Sequence, residues 1–349
     1  MKSKQMKRYL ILCALCAVLA LSSCATTNKS GRTTHAKPNP TNGGGSWTPG
    51  DAMAPTTEPF TTNAANVYEN VAYASVSAAE QCDIYVPAGD GAFPVIVLVH
   101  GGGFAFQNQK MKIVEPVAQY ALSHGYAVVS VDYRKSSEAV FPAALSDVKA
   151  AVRFVRANAA TYRLDAERIA VWGESAGAYL SVMTALTPAA AELDGDVRDN
   201  AAESSAVKAV VDFYGPIEFY TMDDEFAALG KPDTTYSTAN SFESKFLGTP
   251  IGSDKEAAYR TYWETYRAAL PADFALKAWI QAGTGDFAVP CTQSKNLAER
   301  LSAVIGSDNV HYSTIEGARH MDSAFYTEEN LSAVFAFLND ALGVSEANK

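Results

Sequence analysis

Long apolar runs are nearly absent from this 349-residue chain; the one present lies at residues 9–21, which excludes a multi-span membrane protein. Positive charge is also scarce. Twenty-eight Lys and Arg stand against 38 Asp and Glu, a net charge of -10. Such a chain suits no nucleic-acid partner, because neutralising phosphates needs clustered cations. Cysteine and histidine are sparse, five of each; Cys13 and Cys16 fall in the apolar stretch, and the histidines with Cys82 and Cys291 show no metal-ligand spacing. No metal or organic cofactor is therefore expected. No fixed-period repeat is evident. What is present, 48% hydrophobic and 19% charged residues, is ordinary globular composition. The length allows one large α/β domain or two smaller ones.

The N-terminus reads as an address. Lys2, Lys4, Lys7 and Arg8 form a basic region ahead of the apolar stretch 9–21, which is short for a bilayer span and right for a signal-peptide core. Leu21-Ser22-Ser23-Cys24 then resembles a bacterial lipobox. The resemblance implies cleavage of 1–23 and acylation of Cys24, hence an exported, membrane-anchored lipoprotein, periplasmic or at the cell surface. Cleavage removes four positive charges and no negative ones, so -10 becomes -14. Residues 24–66 are read as the lipidated Cys followed by a flexible tether. The stretch 25–60 is rich in Thr, Asn, Gly and Pro and poor in aliphatic residues. A tether of about 30 residues has an r.m.s. reach of roughly 30 Å. Of the cysteines, Cys82 and Cys291 remain in the folded part. They could pair in an oxidising compartment, but Cys82 takes an aliphatic position in an alternating strand and reads better as a buried thiol.

From residue 67 to the end, strand and helix signals alternate. Strands are expected at 94–99 (PVIVLV), 126–131, 168–172, 206–213, 275–281 and 309–315. Helices are expected at 112–124, 143–158, 176–186, 295–304 and 323–342. This alternation predicts an α/β, doubly wound, mostly parallel sheet covered on both faces. Residues 216–271 break the rhythm and are read as a small cap insertion over the edge where such sheets place their sites.

Two motifs carry chemistry. Gly173-Glu174-Ser175-Ala176-Gly177 links a strand to a helix, and a Ser on so sharp a turn has its hydroxyl pushed out of the sheet. His100-Gly101-Gly102-Gly103-Phe104 follows the PVIVLV strand. Consecutive glycines leave backbone N–H groups bare, able to stabilise the oxyanion formed when an ester carbonyl is attacked. On these motifs the sequence resembles the α/β-hydrolase superfamily, in the esterase/lipase branch with an HGGG-type oxyanion loop. It resembles the feruloyl and acetyl-xylan esterase relatives in Val131-Asp132-Tyr133-Arg134, in Phe141-Pro142-Ala143-Ala144 with Asp147, and in Asp165 with Arg168-Ile169. The likeness runs from about Cys82 to Leu342.

The resemblance implies a serine carboxylesterase, with Ser175 as nucleophile and Gly102, Gly103 and Ala176 as oxyanion donors. A Ser hydroxyl needs a base. His35 lies in the tether, His100 in the Gly loop, His124 at a helix end, and His311 early in the last strand. His320, after that strand, is where the family places its base. The acid should lie between Ser175 and His320 in chain order. Asp286, directly after the 275–281 strand, is preferred to Asp212. Glu174 is read as a partner for Arg134. Phe104, Phe106 and Tyr179 either line an acyl pocket or pack in the core. The implied substrate is a small acyl ester or an acylated carbohydrate. The competing readings are a peptidase of the same fold and a non-catalytic ligand-binding lipoprotein.

Overall fold

The computed structural model describes residues 56–270 and 274–345. The signal peptide 1–23, Cys24 and the tether to residue 55 lie outside the described residues. Eight strands form one sheet in the order β1-β2-β4-β3-β5-β6-β7-β8. They are β1 (Asn66–Ala72), β2 (Gln81–Val86), β3 (Phe93–Val99), β4 (Ala127–Val131), β5 (Leu164–Glu174), β6 (Ala209–Phe213), β7 (Lys277–Gly283) and β8 (Val310–Ile315). Strands β3 to β8 pair in parallel, while β2 runs antiparallel to both β1 and β4.

The period of two decides which face each side chain enters. In β3, Val95, Val97 and Val99 join one core and Ile96 and Leu98 the other. The first core packs under helices α2 (Ala143–Ala157), α4 (Ala176–Leu186) and α8 (Cys291–Ile305). The second lies under α1 (Glu115–Ser123) and α9 (Glu328–Leu342). A short α3 (Ala159–Tyr162) leads into β5. All seven residues of β3 are buried, which is why it reads as an unbroken apolar run rather than an alternating one.

The helix ends differ from their expected positions for local reasons. Residues 112–114 form a 3₁₀ turn, and the α-helix starts at Glu115 with proline in its first turn. Helix α8 begins at Cys291 rather than 295; its polar first turn hides an early start, and Gln293 and Ser294 there are buried. The last segment divides into a 3₁₀ turn, Ser323–Tyr326, and α9, where the Thr327 side chain accepts from the Asn330 N–H.

One correction concerns the N-terminal part of the domain, and the buried-thiol reading of Cys82 holds. Residues 56–65, read as the end of a flexible tether, lie against the domain. Phe60 is buried and stacks on Tyr85 at 5.3 Å. The Lys112, Gln119 and Asn108 side chains donate to the Pro59, Thr61 and Thr56 carbonyls at 2.6, 2.7 and 3.0 Å. Cys82 and Cys291 are both free, with Cys82 buried in β2, so they form no disulfide.

The segment between β6 and β7 folds as short helices: α5 (Met222–Ala228), α6 (Phe242–Leu247) and α7 (Lys255–Tyr259), followed by a 3₁₀ stretch Trp263–Ala269. It leaves the sheet at the C-terminal end of β6. Phe246 stacks on Phe104 at 4.0 Å, and the Thr261 carbonyl accepts from the Tyr179 hydroxyl at 2.6 Å. The segment is thereby fastened to the glycine loop after β3 and to α4. No helix among the described residues is long and apolar enough to cross a membrane.

Candidate active site

Ser175 stands alone between β5 and α4 with φ 52° and ψ -124°. A non-glycine residue at positive φ is strained, by about 1–3 kcal/mol. Its neighbours make the turn possible by lacking side chains. A Cβ on Gly173 would come within 2.2 Å of the Gly177 carbonyl oxygen, and one on Gly177 within 2.1 Å of the Val99 oxygen. Strand β5, the helix start and the end of β3 therefore meet at backbone distance. The Ser175 N–H donates to the Phe213 carbonyl at 2.9 Å, which ties the turn to β6 as well.

His320 lies in the loop after β8, and its Nε2 is 2.9 Å from Ser175 Oγ. Its Nδ1 is 2.8 Å from Asp286 Oδ2. An ionised carboxylate only accepts, so Nδ1 carries the proton and Nε2 is left to accept from the Ser175 hydroxyl. Asp286 is held on its other side: Oδ1 accepts from the Ala288 and Val289 N–H groups at 2.7 and 3.0 Å. Asp286 and His320 are buried, whereas Ser175 is only half-buried. Ser175 is thus more exposed than the imidazole and carboxylate behind it.

The glycine loop runs beside this serine. A Cβ on Gly101 would lie 3.3 Å from Ser175 Cβ. Gly102 and Gly103 have φ of +109° and +60°, conformations that glycine adopts freely. Ala176 is the first residue of α4, and the first N–H groups of a helix have no intrahelical acceptor. The loop is fixed from beneath. His100 is buried; its ring contacts the Gly101 carbonyl at 2.6 Å and Asp132 at 3.0 Å, and stacks on Tyr133 at 4.4 Å. The Tyr133 hydroxyl donates to the His100 carbonyl at 2.9 Å. Burial, joined by the nearby Lys135 charge, pushes the His100 pKa down. Burial alone would raise Asp132, but the His100 hydrogen bond and Lys135 outweigh it and hold that carboxyl below its ordinary value.

The remaining candidates lie elsewhere. His124 closes α1 and stacks on Tyr120, and His311 stacks on Trp279 at 3.7 Å. Asp212 does not meet His320. Its Oδ1 accepts from the Gly215 N–H at 2.8 Å, and burial pushes its pKa up to about 7. Glu174 does not pair with Arg134, whose guanidinium reaches Asp147 at 2.7 Å and Asp196 at 2.9 Å. Glu174 is buried without a well-formed hydrogen bond. Burial drives its pKa to about 8, an effect the Tyr326 hydroxyl offsets only in part. Phe104 and Tyr179 are core residues, packed with Phe219 and Phe246, whereas Phe106 is 39% exposed.

Three contacts to this site carried no recognised sequence signal. The Lys231 ammonium donates to the Asp286 carbonyl at 2.8 Å, and the Tyr236 hydroxyl to the Ala288 carbonyl at 2.7 Å. Both come from the inserted segment and hold the Asp286 loop. Tyr214 packs edge-on against the His320 ring at 4.8 Å. A lysine or tyrosine in an aperiodic stretch has no pattern that foretells such a role. Among the described residues, no group of three or more His, Cys, Asp or Glu side chains is arranged to hold a metal ion.

A mostly parallel eight-stranded sheet, with a serine on the turn after β5 and a histidine after β8, defines the α/β-hydrolase fold. The BD-FAE family model matches residues 82–301, and the chain belongs to that family. It is similar to esterase LipQ of Mycobacterium tuberculosis, 28% identical over 251 residues that cover 72% of this chain and 55% of LipQ. The chain spans little more than half the length of the curated relatives it matches over most of its own length. A truncated form of a carbohydrate esterase from gut microbiota superposes with a TM-score of 0.72, at 24% identity, over 82% of this chain and 99% of that one. A bifunctional GH43-CE protein from Bacteroides eggerthii superposes with a TM-score of 0.69, at 29% identity, over 79% of this chain and 38% of that one.

Proposed function

We propose that the protein is a serine carboxylesterase that removes short or aromatic acyl groups, acetyl or feruloyl, from polysaccharide. The observation that carries the reading is the unbroken relay from Asp286 through His320 to a strained, half-buried Ser175. Ser175 Oγ attacks the ester carbonyl as His320 Nε2 takes its proton. Asp286 holds the imidazole in the required tautomer and stabilises the imidazolium that forms. The N–H groups of Gly102, Gly103 and Ala176 receive the oxyanion; one such donor is worth about 10²–10³ in rate. His320 then returns the proton to the leaving alcohol. Water repeats the cycle on the acyl-enzyme and frees the acid. The carbohydrate part is supported by the similarity to carbohydrate esterases.

The test compares wild type with Ser175→Ala on p-nitrophenyl acetate, methyl ferulate and acetylated xylan. Wild type is expected to turn over at least one ester, and the variant at least about 10³-fold more slowly. A folded wild type no faster than the variant on all three refutes the reading. We also propose that the chain is exported and lipidated at Cys24, on the strength of the basic region, the apolar stretch and the Leu21-Ser22-Ser23-Cys24 sequence.

A further inference from the structure

An open cleft of about 580 Å³ lies beside the catalytic groups without including them. One wall is Ala105 and Phe106, directly after the glycine loop; the others are the 136–137 loop and the inserted segment from 239 to 250. Its position relative to the chemistry follows from two approaches. The glycine loop touches Ser175 through Gly101, and a Cβ on Gly103 would come within 2.8 Å of the Phe242 ring. The glycine loop therefore lies against Ser175 at one end and against Phe242, a wall of the cleft, at the other.

The lining has an unusual mixture. Phe106 and Phe242 are 39% and 37% exposed, and their rings meet edge to face at 5.7 Å. Two partly exposed rings side by side offer an apolar ring face to a bound group. Around them stand Ser136, Ser137, Thr249 and Lys245, all carrying hydrogen-bonding heads. A short acyl chain calls for an enclosed apolar pocket, which this is not. A sugar ring fits both features: its C–H face is apolar and lies flat on an aromatic ring, while its edge hydroxyls reach Ser, Thr and Lys. We propose that this cleft binds the carbohydrate on the alcohol side of the scissile ester, with Phe106 and Phe242 as the platform that selects a glycosyl leaving group. The inference rests on the esterase reading and adds the place on the protein where the sugar alcohol is held.

The test holds the acyl group constant and changes the alcohol. Wild type, Phe242→Leu and Phe106→Leu are assayed on p-nitrophenyl acetate and on an acetylated xylo-oligosaccharide. Leucine keeps apolar bulk against Gly103 while removing the flat face. The ratio of kcat/KM for the sugar ester to that for p-nitrophenyl acetate is expected to fall about tenfold in each variant, mainly through KM. Methyl ferulate serves as the acyl-side control. An equal fall on both acetyl esters means the rings act only through the glycine loop and overturns the proposal. A fall confined to methyl ferulate assigns the cleft to the acyl group and also overturns it, as does a wild type that cleaves p-nitrophenyl acetate but not the sugar ester. Wild-type turnover of p-nitrophenyl acetate that Ser175→Ala abolishes keeps the esterase reading standing through any of these results.

Discussion

Replacing Glu174 by Gln should change how stability depends on pH. This carboxyl is buried next to Ser175 and has an ordinary value of 4.5 against about 8 in the folded protein, with burial as the main cause. Between those values the folded state holds the proton and the unfolded state does not. Stability contributed by the protonated group is therefore complete below pH 4.5 and lost progressively as pH rises toward 8. Each pH unit well inside that window removes about 1.4 kcal/mol. From about pH 5 to about pH 7 the loss from this one residue amounts to roughly 2–3 kcal/mol, a large share of a domain's stability. Gln keeps the volume and cannot ionise. Asp212 and Glu243, whose burial raises them to about 7, tilt the curve in the same direction in both proteins. The difference between wild type and variant thus isolates Glu174. Urea unfolding followed by tryptophan fluorescence at several pH values across the window measures it. Glu174→Gln should show a shallower decline, with its advantage over wild type growing with pH. Parallel curves for the two proteins would show that Glu174 is not held protonated, and the burial argument would be wrong.

Two further outcomes are expected. Asp286→Asn should lower kcat by up to about 10⁴, because an amide facing Nδ1 favours the wrong tautomer, while Asp212→Asn should stay within a few-fold of wild type; the reverse ranking in steady-state ester hydrolysis would move the acid to β6. In a bacterial host the full chain should sediment with membranes and Cys24→Ala should be released to the soluble fraction, so equal partitioning of the two would refute lipidation at that residue.

The parts of the fold legible in the sequence are those where one physical rule dominates. Strand β3, the 127–131 strand and helix α4 announce themselves through burial on every side, and the two glycine motifs through the backbone proximity they require. Ser175, Asp286 and His320 each follow the C-terminal end of a recognisable strand, and it is the resemblance to the α/β-hydrolase superfamily that implies their roles. Strand β1 was harder: it is mostly exposed and sits at the sheet edge, so no alternation marks it. The Glu174 partner was misjudged because Arg134 had nearer carboxylates, Asp147 and Asp196, on elements whose approach depends on the whole tertiary fold. The docking of Phe60 on Tyr85 was hidden by composition: one aromatic ring in a polar stretch can anchor it. The roles of Lys231 and Tyr236 rest on side chains reaching backbone carbonyls about 50 residues away in sequence, and nothing local encodes such a contact.

The inserted segment does two jobs with one piece of chain. Lys231 and Tyr236 moor the loop that carries Asp286, and a few residues later Phe242 forms a wall of the open cleft. On the proposed reading, mutational routes to a new leaving-group preference pass through a stretch that also steadies the Asp286 loop. Selection for altered preference should produce variants in which turnover and selectivity change together, and recovery of speed should come from compensating changes around 231–236 rather than at the serine.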